Sequence, residues 1–420
     1  MTGSHRYPST RNTEWCSVFA LATATLVAAS ARGETDGPLA LDRAAVLSMV
    51  ARAPQIAVAE ARVGEARALR VGAGALAPLN PDLTVFGGPR RFSNGQRSTD
   101  LVFTLLWPLD VSGARSARKE VADGAVGVAE ADVADARRLV AAEALELWIA
   151  TRAAGERIQV EKVRVGLDAE LVRIAGVRRQ AGVAGDSELA LASVLASESR
   201  ARLQDALAEE RAALVLLKGK LGLPAAQPAI ATGALADAAD MQPLDTLVAR
   251  ALRRGDVERA DRAVPVAQAV AKREGRSGVP VPRALLGAGR ENEEFAHVGL
   301  DVPIPVYQRN QTNRAVADAR VATAGAEQSA ARIAADAEVR AAHATYLGAL
   351  EAFRTRTAAL PWVTDLEKLA WRSYELGSMP LASVVVSRRE AATARAAHLE
   401  AAIALARARA ALERASGGLP

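Results

Sequence analysis

The chain of 420 residues is rich in alanine, only 4% aromatic, and carries 53 Lys and Arg against 48 Asp and Glu. So few aromatic side chains are thin material for a large globular core, whereas alanine suits long helices packed closely against neighbours. Basic residues are interspersed with acids along helical stretches and do not cluster with aromatics, which argues against a nucleic-acid partner.

Arg6 and Arg11 precede an apolar run from Trp15 to Ala29 that closes on Ala29-Ser30-Ala31. This is the pattern of an export signal, residues 1–31, removed from the mature protein. About 15 apolar residues are too few to cross ~30 Å of hydrocarbon. The single cysteine, Cys16, lies inside this segment behind Thr13-Glu14-Trp15, a poor lipoprotein context, so neither lipid anchor nor disulfide is expected. No later stretch offers a long uninterrupted apolar run, so a membrane location requires a closed barrel.

The rest of the chain repeats itself. Leu41-Asp42 opens one copy and Leu244-Asp245 the other, Leu101 to Leu109 matches Val298 to Val306, Gly182 matches Gly377, and both copies end in Gly-Leu-Pro, at Gly222 to Pro224 and Gly418 to Pro420. The expected units are 32–224 and 244–420, joined by a linker at 225–243.

Each copy opens with helical spacing, as in Ala44, Leu47, Ile56, Ala59 and Val63. A β-hairpin follows, at 82–107 around a Pro89 to Ser98 loop and at 283–304 around Glu291 to Glu294. In the second strands Leu101, Phe103, Leu105 and Trp107 share one face, as do Val298, Leu300, Val302 and Ile304, while Thr104 and Asp301 fall on the other. One face suits lipid and the other water, although half-buried strands of a soluble sheet alternate in the same way. Four strands cannot close a barrel, since known single-chain barrels begin at about eight; three copies would supply about twelve.

Long helical hairpins come next, at 112–221 and 313–416. Outgoing helices from Ser112 to Gln180 and from Asn313 to Leu376 would reach roughly 90 to 100 Å. Turns at Gly182 to Gly185 and Gly377 to Pro380 reverse them. On the first return helix Leu203, Leu207, Leu214, Leu217 and Leu221 form an a/d seam.

These features together resemble the TolC-like outer-membrane efflux protein family from Leu39 to Pro420. The resemblance is carried by Arg52-Ala53-Pro54, Leu105-Leu106-Trp107-Pro108-Leu109, Val302-Pro303-Ile304-Pro305-Val306 and the two glycine tips. Tyr307-Gln308-Arg309-Asn310-Gln311 looks most like the cobalt-zinc-cadmium branch, which serves heavy-metal exporters of the resistance-nodulation-division type.

The resemblance implies a mainly α fold with a small membrane β part, and a homotrimer with a 12-stranded barrel in outer-membrane lipid above a periplasmic helical barrel. It also implies a passive channel that works with a periplasmic adaptor and an inner-membrane proton-coupled pump. Adaptor contacts carry over to Gly182, Val183, Ala184, Gly377, Ser378 and Met379, whose bland reading is glycine-assisted helix ends. Six residues past each tip glycine, where many relatives carry an Asp at the closed mouth, stand Glu188 and Ser383, so an acidic ring is in doubt at the second tip.

His297, His343 and His398 are not at helical ligand spacing, so no resident metal is expected. No phosphate loop and no nucleophile with a base at a recognisable spacing stands out, which argues against an enzyme and a cofactor. Thr104 and Asp301 are the candidate lumen residues, with simple wetting of the wall as their plain reading. Drug efflux, type I secretion and a pore-less periplasmic coiled coil are the other functions the pattern allows.

Overall fold

A computed structural model describes residues 37–76, 79–183, 185–236, 242–291 and 293–419. The expected signal, Ala184 and Pro420 lie outside the described residues.

Two halves repeat the same order of elements. In the first, β1 (Leu39–Leu41), α1 (Arg43–Met49) and α2 (Pro54–Ala73) lead into β2 (Asp82–Arg91), β3 (Arg97–Pro108), α3 (Ala114–Gln180) and α4 (Asp186–Lys220). In the second, β4 (Ala229–Ala231), α5 (Leu244–Ala251) and α6 (Gly255–Ser277) lead into β5 (Arg283–Arg290), β6 (Glu294–Asp301), α7 (Gln311–Glu375) and α8 (Leu381–Ser416).

Local chemistry sets several of these boundaries. The Asp42 carboxylate accepts the Ala45 N–H at 2.7 Å and caps α1, and Pro54 opens α2 where a missing N–H costs nothing. The 225–243 stretch, expected to be a plain linker, supplies β4, which pairs in parallel with β1 through Leu39↔Ala229 and Leu41↔Ala231. The openings of the two copies are thus tied together.

The 67 residues of α3 and the 65 of α7 are each close to 100 Å long at ~1.5 Å per residue. None of the described helices is long and apolar enough to cross a membrane. α3 packs on α4, α2 and α6, and α7 packs on α8 and α6. Alanine permits this closeness. Where α6 meets α3, a Cβ on Gly255 would stand 2.4 Å from the Asp135 nitrogen, so no larger residue fits.

The described residues form three cores, two of them side by side on different faces of α8 and one remote from both. One gathers Leu41, Ile56, Leu145, Trp148 and Leu217 around the β1–β4 pair, where the Trp148 indole donates to the Leu41 carbonyl at 2.9 Å. A second joins Leu247, Val257, Tyr346 and Leu412, and a third, at the far end, holds Leu171, Tyr374, Leu381 and Val384. Of the expected leucine seam, Leu217 and Leu221 are buried, while Leu203, Leu207 and Leu214 are half-buried.

The four longer strands form one antiparallel sheet in the order β2-β3-β5-β6, so the two hairpins meet along β3 and β5. Two expected boundaries are corrected. Pro89 to Arg91 belong to β2 and are not loop, because β2 is an edge strand and an edge tolerates a residue without an N–H. Conversely β6 stops at Asp301, so Val302 and Ile304, expected to continue its lipid-facing row, lie beyond the strand. Alternating Pro303 and Pro305 remove the donors a ladder needs.

Candidate channel surfaces: the sheet and the helix tips

Register defines the two faces of the sheet, because directly paired residues project to the same side. One face carries Leu101, Phe103, Leu105 and Trp107 from β3 with Val298 and Leu300 from β6, joined by Leu83, Val85 and Leu286. Within the strand cores this face is apolar across all four strands. The opposite face holds Thr104 opposite Thr84 and Gly287, and Asp301 opposite Arg283, with which it forms an ion pair. Arg90 pairs with Asp100 at 2.6 Å on that same face, and His297 lies over Gly287, stacked on Phe295 with ring centroids 5.6 Å apart. This second face is mixed: Phe86, Val102 and Leu285 accompany the polar groups.

At the other end of the molecule, α3–α4 and α7–α8 each turn on a glycine in the left-handed region, Gly182 at φ 70° and Gly377 at φ 73°. Val183 and Ser378 stand directly after these glycines and are exposed, and Met379 packs against the tip core. Glu188, in the first turn of α4, accepts a hydrogen bond from the Tyr374 hydroxyl at 2.7 Å. The Arg178 guanidinium lies over the Tyr374 ring at 4.9 Å and its Nε is 3.7 Å from Glu188. Burial, followed by the bond to Glu188, pushes the Tyr374 phenol up to about 12. Ser383 has no such partner among the described residues; it is an exposed residue of the first turn of α8.

One level further from the tips, Arg388 reaches from α8 to Asp168 on α3 at 3.5 Å and covers the Trp371 ring at 5.0 Å. Burial raises the Asp168 carboxyl and lowers the Arg388 guanidinium. The two helical hairpins are thus joined by unlike groups at two levels. Tyr374, Arg178 and Arg388 were not anticipated from sequence, although a tyrosine three residues before a tip glycine, in a chain so poor in aromatics, was the available signal.

Among the described residues no three His, Cys, Asp or Glu side chains gather as a metal site. His398 stacks on Phe353 with centroids 5.3 Å apart, and burial lowers its pKa.

Residues 251–418 match the family model described as outer membrane efflux protein. The chain is 26% identical over 290 residues to the cobalt-zinc-cadmium resistance protein CzcC of Cupriavidus metallidurans, an alignment spanning 67% of this chain and 66% of that relative. Among solved structures, that of CusC, reported in connection with transmembrane channel formation, superposes with a TM-score of 0.76 at 16% identity, covering 89% of this chain and 91% of the other. The outer membrane protein VceC of Vibrio cholerae gives 0.73 at 15% identity, covering 89% and 96%. Residues 251–418, most of the second copy, are thus similar to the outer membrane efflux protein family, and the described chain as a whole shares the fold of these solved outer-membrane proteins.

Proposed function

We propose that the protein is a passive exit channel in the outer membrane, one subunit of a homotrimer, that exports heavy-metal cations for an inner-membrane proton-coupled pump reached through a periplasmic adaptor. The observation that carries this reading is the sheet: one face is apolar across all four strands, and both edges are open. Such a sheet satisfies its backbone in hydrocarbon only by joining further strands into a closed barrel. The helices of about 100 Å then form a duct on the periplasmic side. The metal substrate rests on likeness to a cobalt-zinc-cadmium resistance protein and on the Tyr307 to Gln311 segment.

Gly182, Val183, Ala184, Gly377, Ser378 and Met379 are the adaptor-docking tips, Glu188 and Ser383 belong to the periplasmic mouth, and Thr104 and Asp301 line the lumen. An export signal at residues 1–31 delivers the chain.

Reconstitution into planar bilayers should give discrete conductance steps, and a pore-less coiled-coil protein would give none. Deleting the gene should raise sensitivity to cobalt, zinc or cadmium with pump expression unchanged. Unaltered tolerance to these three and to copper and silver would remove the metal assignment and leave the channel standing.

A further inference from the structure

The apolar face of the sheet is too short for the membrane it is read to cross. From Leu101 to Trp107 it spans seven residues. At ~3.3 Å per residue and a tilt near 40°, that run rises only about 17 Å, against an apolar band of about 25 Å for outer-membrane barrels. Beyond Leu101 the same face becomes charged, with Arg91, Arg97, Arg290 and Glu294, so the missing height cannot come from that end.

It is available at the other end, where strands join helices. Leu76 and Leu79 precede β2, Val111 follows β3, Val279 precedes β5, and Ile304 and Tyr307 follow β6; all are exposed, Ile304 to 82% and Tyr307 to 86%. At each of the four joints the next feature away from the sheet is arginine: Arg70 behind Leu76, Arg115 behind Val111, Arg276 behind Val279, and Arg309 and Arg314 behind Tyr307. The same order, apolar and then cationic, occurs at all four.

Charge bookkeeping sharpens the pattern. The stretches 67–76, 107–120, 270–283 and 301–314 hold eleven Lys and Arg against four Asp and Glu, a net +7 where the whole chain has +5, so the remainder is net negative. Three of these arginines are oriented by neutral acceptors: Arg115 donates to the Gly74 carbonyl at 3.0 Å, Arg276 to that of Gly113 at 2.6 Å and Arg309 to that of Pro305 at 3.2 Å. A carbonyl fixes a guanidinium without neutralising it, which leaves its charge for an external anion.

Resting on the reading of the apolar face as membrane-facing, we propose that the four strand-to-helix joints lie inside the periplasmic-side leaflet. Leu76, Val111, Ile304 and Tyr307 complete the hydrocarbon-facing band, and Arg115, Arg276, Arg309 and Arg314 meet the phosphates of anionic phospholipids. Amphipathic Trp107 and Tyr307 fit the aromatic girdle of such a boundary. Each arginine near an anionic surface contributes on the order of 1 kcal/mol, fading with salt.

The test is a nitroxide label on Ile304→Cys, in a chain with Cys16→Ser, reconstituted into phosphatidylcholine vesicles with and without phosphatidylglycerol. A label on Phe103→Cys serves as reference. Both labels should be reached by oxygen and shielded from a water-soluble nickel chelate. A label at 304 open to the chelate, or closed to both reagents as in a subunit contact, overturns the joint's placement while Phe103 still reports lipid. A Phe103 label open to the chelate instead overturns the membrane reading itself. For the lipid class, the native chain should unfold several degrees higher when phosphatidylglycerol is present, a gain that the triple variant Arg115→Gln, Arg309→Gln, Arg314→Gln loses. Equal midpoints for the native chain in the two vesicles overturn the preference for anionic lipid.

Discussion

The tip joining α3 to α4 and the tip joining α7 to α8 turn on the same backbone with different side chains. At the first, Val183 N–H bonds the Arg178 carbonyl at 2.9 Å and Gly182 N–H that of Arg179 at 3.0 Å; at the second, Ser378 bonds Ser373 at 2.9 Å and Gly377 bonds Tyr374 at 2.9 Å. Both are Schellman closures, matched residue for residue at the duplication offset. Yet α4 begins with Asp186 and Glu188 in its first turn, where carboxylates favour the helix dipole, and α8 begins with no acid there. Duplication preserved the hydrogen bonds that reverse the chain and released the side chains, so one tip supplies the carboxylate and the other the phenol that binds it.

The largest effect should come from removing the phenol side. Tyr374→Ala empties a fully buried site and should cost the tip about 3–5 kcal/mol. Faster amide exchange in the first turns of both α4 and α8 would record it. Arg179→Ala, at the duplicated position, breaks only an exposed pair with Asp186 and should cost about 0.5 kcal/mol or less. Equal losses would erase the asymmetry.

Next in size, Glu188→Gln and Tyr374→Phe should each cost about 1–2 kcal/mol. Their double variant should cost clearly less than the sum, because one substitution takes the charge from the bond and the other removes its donor. Additive losses in that cycle would mean that the bond contributes nothing.

Gly182→Ala and Gly377→Ala test what the tips share. Each places a Cβ at positive φ and should cost about 1 kcal/mol. Here the two tips should agree, and a large difference would show that one closure is not formed.

Alkali provides a gentler probe. Because the folded pKa of Tyr374 is raised to about 12 from 10.0, its contribution is complete below about pH 10 and is lost as pH climbs to 12. Tyr374→Phe should flatten that part of the profile, and an unchanged profile would mean that another group titrates there. The smallest effect belongs to Ser383→Ala, within about 0.5 kcal/mol, since its side chain is exposed and pairs with nothing across the tip.

The sequence revealed these elements unevenly. Element order was legible because the hydrophobic period changes in the same sequence twice, and the alternation from Leu101 to Trp107 identified the apolar face. The end of β6 was misread because Val302 and Ile304 continue the alternation while Pro303 and Pro305 silently remove its hydrogen bonds. Glu188 was recognisable as an acid at a tip, but Tyr374 stands 186 residues away, and no local pattern reports a partner at that distance. Likewise β4 is three residues long and owes its existence to β1, not to its own composition.

The open edges of β2 and β6 have a consequence for how the protein reaches its working state. A lone subunit entering hydrocarbon would carry two rows of unpaired N–H and C=O groups, each costing several kcal/mol. In the proposed trimeric channel, insertion and association would therefore be a single step governed by mass action. Dilution opposes it as effectively as a denaturant does, and the rate at which subunits are supplied sets how many channels form.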